Sequence, residues 1–258
     1  MLAIPIQFWS MACLWLHHGY HPKARCDALM KTFLLTNDDG MDAPGLKALE
    51  EAVRPLGRLV VLAPAHPQSG ISHRVSIWDT VDVIPEGVDR FRVFGTPADC
   101  VRIGLREIVP EADYVLSGIN IGANLGYDIY LSGTVAAARE AAFQGKPAMA
   151  LSQYIAAACK PDWDAARETL HALLPEFLAM PLKSLEYMNI NLPQASGKPG
   201  NIPQWQSGWP ETTPYDTCIR VDDQRYAYTA DMHARPRPAG CDVDVCFSGR
   251  VSFTRLRI

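Results

Sequence analysis

Hydrophobic positions fall into short continuous runs separated by stretches of helical spacing. Lys31–Leu35, KTFLL, is such a run and reads as a buried strand. Pro44 then suits the first turn of a helix, and Leu46, Leu49 and Val53 recur at helical spacing until Pro55 and Gly57. RLVVLAP is a second strand. Strand, helix, strand in that order is a βαβ unit and predicts a parallel sheet. The loop AHPQSGISH follows, then two β-rich pieces, WDTVDVIP and RFRVFG. TPADCVRIGLREI predicts a helix with Thr96 as its N-cap. ADYVLSG is another strand, and a Gly/Asn-rich loop comes next. SGTVAAAREAAFQG predicts a helix capped by Ser132 and ended by Gly145, and PAMALS a further strand.

Beyond residue 160 the pattern loosens. Trp163, Ala166, Leu170, Leu173 and Phe177 mark an amphipathic helix, with Pro175 expected to break its last turn. EYMNINLP reads as a strand. Residues 194–240 hold many Gly and Pro and no period, the character of a functional segment or an interaction arm. CDVDVCFSGRVSFTRL predicts a hairpin around Gly249. The expectation is an α/β core over 30–160, carrying the active site, followed by a helix, an irregular arm and a hairpin over 161–258. Residues 1–29 are apolar but broken by Gln7 and Ser10, short for a bilayer span, and lack the basic start of a signal peptide. They read as a dispensable extension ahead of a start at Met30.

Composition narrows the function classes. The 258 residues are 48% hydrophobic and 20% charged, which is ordinary for a soluble globular chain. A net charge of −4 offers no basic excess for nucleic acid or an anionic membrane. An anionic substrate must therefore be held by a local device. Seven cysteines without a C-x-x-C pair argue against a zinc ribbon or a disulfide framework and for a reducing, cytoplasmic compartment.

Four motifs carry candidate chemistry. Asp38 and Asp39 end the first strand, on the edge where parallel sheets bind ligands. Adjacent carboxylates repel, and a divalent cation such as Mg²⁺, Mn²⁺ or Ca²⁺ relieves that repulsion. The alternative is a solvated turn in which Asn and Asp bond their own backbone. Ser69 lies after the second strand and can add a hydroxyl ligand. SGINIGANLG brings Asn120 and Asn124 among glycines, supplying neutral oxygens to a metal or amide donors to a phosphate. It is not the G-x-G-x-x-G fingerprint, so a dinucleotide is disfavoured. Ser132, Gly133 and Thr134 open a helix whose free N–H groups suit an anion. Each motif has a plain structural reading. Together, on one sheet edge, they describe metal-assisted attack on a phosphate ester.

In order and spacing, LLTNDDGMDAPGL, APAHPQSGIS, GTPADCV, DYVLSGINIGANLG and SGTVAAA resemble the SurE family of survival proteins, with NINLP and GRVSFTRL as later landmarks. The resemblance implies a Rossmann-like fold with a C-terminal β-rich arm exchanged between subunits of a homodimer or homotetramer. It implies a metal-dependent phosphomonoesterase acting on nucleoside 5′-monophosphates, with 3′-nucleotides or short polyphosphate in some members. It places one divalent cation on Asp38, Asp39, Ser69 and Asn120, makes Asp38 and Asp39 the candidate catalytic pair, and sets Asn124 and Ser132–Thr134 beside the phosphate. The sequence departs from the family at Leu131, where Tyr is common, and at His66 and His73 around the serine. The ending TRLRI also differs. The histidines are candidates for acid assistance or plain loop residues. The competing function is a Rossmann-like nucleotide-binding module without turnover. A phosphoacceptor domain would need a third Asp and a late Lys, and a haloacid-dehalogenase phosphatase D-x-D rather than adjacent acids.

Overall fold

Nearly every residue of the first strand, β1 (Lys31–Thr36), is buried, because side chains on both of its faces meet helices. The computed structural model describes residues 30–195 and 200–258; the extension expected over 1–29 lies outside them. Helix α1 (Pro44–Val53) starts on Pro44, as its fixed φ favours, and a 3₁₀ turn at Arg54–Leu56 leads into β2 (Gly57–Pro64). Strands β3 (Val83–Gly87) and β4 (Arg90–Val93) follow. The β-rich piece from Trp78 is thus a strand only from Val83. Helix α2 (Pro97–Ile103) carries the expected Thr96 cap, completed into a capping box by Asp99, and a π-helical turn (Gly104–Ile108) extends it.

Next come β5 (Tyr114–Ile121), α3 (Asp128–Leu131), α4 (Gly133–Phe143) and β6 (Ala148–Gln153). Helix α5 (Trp163–Ala179) does not break at Pro175 as expected. It continues because Leu174, Phe177 and Leu178 bury against the sheet, which offsets the lost backbone bond. The chain ends with β7 (Glu186–Leu192), β8 (Trp205–Ser207), β9 (Asp216–Arg220), β10 (Tyr226–Ala230), α6 (Asp242–Phe247) and β11 (Val251–Arg257).

The terminal hairpin expected around Gly249 is therefore a helix followed by a strand. Alternation over five residues of CDVDV does not separate the two periods. Asp242 and Asp244 fall in the first turn of α6, where the helix dipole favours acids, and Cys241 Sγ caps Asp244 N–H at 3.3 Å.

Nine strands form one sheet in the order β3-β4-β2-β1-β5-β6-β7-β11-β8, parallel except at β3/β4 and β7/β11. One face packs Phe33, Leu35, Leu46, Leu49 and Phe177 beneath α1 and α5. The other packs Leu34, Val60, Val101, Val135 and Ala138 beneath α2 and α4. This is the Rossmann-like α/β core. Strands β9 and β10 pair antiparallel as a separate ribbon within the aperiodic segment, as an arm would. Among the described residues all five cysteines are free, and no helix is long and apolar enough to cross a membrane.

Candidate active site

The carboxyl end of β1 turns sharply at Asn37–Gly40. Asn37, fully buried, donates its amide to the Gly40 carbonyl at 2.9 Å and accepts the Gly40 N–H at 3.2 Å. The local turn is thus made by Asn37 alone, and both aspartates remain for other work. Asp38 points at the start of α4. Its Oδ1 accepts the Thr134 hydroxyl at 2.5 Å and its Oδ2 the Thr134 N–H at 3.1 Å. Gly133 allows that approach, since a Cβ there would lie 2.9 Å from the Asp38 Cβ and 2.9 Å from Ile71 Cγ2. Asp39 Oδ2 accepts the Ile121 N–H at 3.2 Å, which ties the turn to the end of β5.

Strand β5 is irregular where it matters. Its register against β6 shifts between Ser117 and Asn120, a bulge that re-aims the strand end. Within it Gly118 has φ +144°, and a Cβ would meet the Leu151 carbonyl at 2.2 Å. Asn120, expected in a loop, is therefore on the strand. Its amide donates to the Gly122 carbonyl at 2.6 Å, leaving Oδ1 without a protein donor among the described residues. Ser69 is exposed in the loop after β2. That loop is pinned to the Asp38 carbonyl by Gln68 N–H at 2.7 Å and to the α3–α4 junction by Ser72.

Burial pushes the Asp38 carboxyl above its ordinary range, although Thr134 opposes this. Burial first, and repulsion from Asp38 second, push Asp39 up to about 6. Neither carboxylate has an ion-pair partner among the described residues. No group of three or more His, Cys, Asp or Glu gathers there. Two desolvated carboxylates are short of positive charge here, and the hydroxyl of Ser69 and the amide oxygen of Asn120 lie on the neighbouring loop and strand end. Oxygen donors of this chemistry suit a hard divalent cation of the Mg²⁺ or Mn²⁺ kind.

The rest of the motif has a different character. Ser132 caps α4 as expected, its Oγ accepting the Val135 N–H at 3.1 Å and keeping its own proton. With Thr134 N–H given to Asp38, the anion at this helix end is Asp38 itself. Asn124 is buried and faces the sheet. Its amide donates to Ser152 Oγ at 2.8 Å, its N–H to Asn191 Oδ1 at 2.7 Å, and its carbonyl accepts from Asn189 and Asn191. His73 is also structural, accepting from Arg139 at 2.8 Å and bonding buried Glu140 at 3.0 Å. His66 is exposed, edge-on to Phe94.

Residues the motifs missed hold the 122–131 loop from outside. Asp242, fully buried, accepts Gly126 N–H at 2.7 Å and Glu211 N–H at 3.1 Å. Arg235 donates to the Leu125 carbonyl at 3.2 Å, pairs with Asp128 at 2.5 Å and lies 3.9 Å over the Tyr215 ring. Asn189 and Asn191, an i, i+2 polar pair on one face of an apolar strand, hold the same loop through Asn124.

Fold and site together define a Rossmann-like α/β protein with a buried pair of adjacent carboxylates at the carboxyl edge of its sheet. The profile of the Survival protein SurE family matches residues 33–209, and the chain belongs to that family. A relative from Nostoc sp. is 41% identical over 228 residues, covering 88% of this chain and 100% of its own. The 5′-nucleotidase SurE of Methylocella silvestris is 42% identical over 87% of this chain and 92% of its own. The crystal structure of the SurE protein from Aquifex aeolicus superposes with a TM-score of 0.78 at 33% identity, covering 88% of this chain and 93% of that one.

Proposed function

We propose that this chain is a divalent-metal-dependent phosphomonoesterase that hydrolyses nucleoside 5′-monophosphates to nucleoside and phosphate, with 3′-nucleotides and short polyphosphate as further substrates. The observation that carries the reading is the uncompensated pair Asp38 and Asp39, both raised by burial, at the carboxyl edge of the sheet. The names of the relatives support the same chemistry.

Asp38, Asp39, Ser69 and Asn120 would hold one Mg²⁺ or Mn²⁺ per subunit. Such an ion, when bound, supplies positive charge that polarises a phosphoryl oxygen and acidifies water. The chain's own residues do the rest. Thr134 fixes both oxygens of Asp38, so this carboxylate is oriented before substrate arrives and serves as base or nucleophile. Ser132 directs its remaining hydroxyl proton to a phosphoryl oxygen. Gly133, lacking a side chain, lets Asp38 pack against the start of α4, whose positive end steadies that carboxylate. Asn124 sets the path of the loop beside the phosphate. The exposed side chains of Ile219, Tyr226 and Tyr228 on the β9–β10 ribbon support a homodimer or homotetramer built through an exchanged arm. We place the protein in the cytoplasm.

The test is phosphate release from a panel of nucleoside monophosphates under Mg²⁺ and Mn²⁺, with Asp39→Ala as control. Release that disappears in Asp39→Ala supports the reading. Nucleotide binding without turnover under either metal would replace it with a binding module.

A further inference from the structure

We propose that the shallow pocket at the ends of β2 and β4 binds the nucleobase, and that Arg74 there selects 6-oxopurines, guanine and hypoxanthine. The proposal rests on the nucleotide-phosphatase reading above. The pocket has a volume of about 230 Å³, and its walls include Ala65, His66, Gln68, Arg74, Phe94 and Thr96. That is smaller than the roughly 300–1,000 Å³ that encloses a whole small ligand, and suits one ring system of a larger one.

It abuts the reactive turn. A Cβ on Gly40, the residue after Asp39, would lie 3.5 Å from the Pro64 carbonyl oxygen and 3.6 Å from the His66 carbonyl carbon. Gln68, in the pocket wall, bonds the Asp38 backbone, and Ser69 is the next residue. A phosphate held at Asp39 and Ser69 thus has this pocket as its neighbour on the β2 side.

One wall is aromatic. His66 and Phe94 meet edge to face, centroids 6.0 Å apart at 82°, and Phe94 remains 46% exposed. An exposed aromatic face is a platform on which any planar base stacks. The floor is fixed. Ser76 donates its N–H and hydroxyl to buried Asp99 at 3.0 and 2.8 Å, and Thr96 donates its hydroxyl to the Arg74 carbonyl at 2.7 Å. Those bonds hold the Arg74 backbone and use up both hydroxyl protons. The Arg74 side chain itself is exposed and makes no ion pair among the described residues.

The pocket therefore offers a forked, donor-only group beside a stacking surface. O6 and N7 of guanine or hypoxanthine are two adjacent acceptors that match such a fork. Adenine instead presents its N6 amino group, donor against donor.

The test uses the full-length protein with saturating Mn²⁺. Steady-state kcat/KM is measured for GMP, IMP, AMP and p-nitrophenyl phosphate in the wild type, Arg74→Ala and Arg74→Lys. GMP and IMP are expected to exceed AMP by about tenfold, through KM. Arg74→Ala should bring the GMP-to-AMP ratio to about one, and Arg74→Lys, which keeps the charge without the fork, should restore only part of it. Equal values for GMP and AMP in the wild type, or a ratio unmoved by Arg74→Ala, overturn the proposal. p-Nitrophenyl phosphate carries no base. Its hydrolysis without a base preference removes the pocket assignment and keeps the phosphatase; failure to hydrolyse any of the four removes both.

Discussion

Replacing Asp39 by Asn removes one of the two carboxylates of the site while keeping its shape and its acceptor for the Ile121 N–H. The wild-type carboxyl rises from 3.8 to about 6 through burial and repulsion from Asp38. A folded-state value above the unfolded one means that the folded protein binds this proton more tightly. For this group the metal-free protein is then most stable below about pH 3.8, loses stability as pH rises to about 6, and is level above that. The full shift corresponds to at most about 3 kcal/mol at neutral pH. Asp39 is partly exposed, and solvent screening reduces this to about 1–2 kcal/mol. In EDTA at neutral pH, Asp39→Asn should accordingly be the more stable protein, by about 2–8 °C in Tm. Mn²⁺ at about a hundred times its Kd should raise the wild type by about 2.7 kcal/mol and the variant far less, reversing the order. At about pH 4 the variant's advantage in EDTA should vanish. Urea unfolding with EDTA or Mn²⁺ at both pH values measures all of this. A variant less stable than wild type in EDTA at neutral pH, or one that gains equally from Mn²⁺, refutes the reasoning.

Thr134→Val removes the 2.5 Å hydroxyl bond to Asp38, and should lower kcat at least about tenfold and move the acid limb of its pH profile upward, since a donor to the charged form is lost; Thr134→Ser should restore both. Gly133→Ala inserts a Cβ 2.9 Å from that of Asp38, and should cost on the order of a hundredfold in kcat with an unchanged far-UV circular dichroism spectrum. His73→Ala should leave the shape of the pH–rate profile intact while lowering stability in urea by about 1–2 kcal/mol. Although burial opposes its charge, bonds from His73 and Arg102 hold Glu140 below its ordinary 4.5. That contribution is present above about pH 4.5 and lost as pH falls through the depressed value, so His73→Ala should also raise the midpoint of acid unfolding.

The parallel core was legible because its signals are local. Buried strands such as β1, caps such as Thr96 and Ser132, and Pro44 at a helix start each act within a few residues. The Asp38–Asp39 pair was legible as chemistry, but its choice between turn and site was not. That choice is made by Asn37, which forms the turn alone, and by Thr134, 96 residues from Asp38. Asn124 read as a free amide because its partners Ser152, Asn189 and Asn191 come from later strands. Helix α6 was misread because its decisive feature is the tertiary burial of Asp242. Arg235 was invisible in an aperiodic stretch whose order comes from the loop it grips.

The strand order has a consequence for synthesis. Asp38 and Asp39 emerge early, but β11 follows the other ten described strands in the chain and must enter the sheet between β7 and β8. The segment just before it brings Arg235 and Asp242 to the loop that joins Asn120 to Ser132. A nascent chain can thus pair β1 with β2 and display its two acids while the loop opposite them still lacks its clamps. Long-range closure of this kind is slow relative to local pairing. The clamps on that loop therefore form only once Arg235 and Asp242 have joined a sheet whose first strands are already paired.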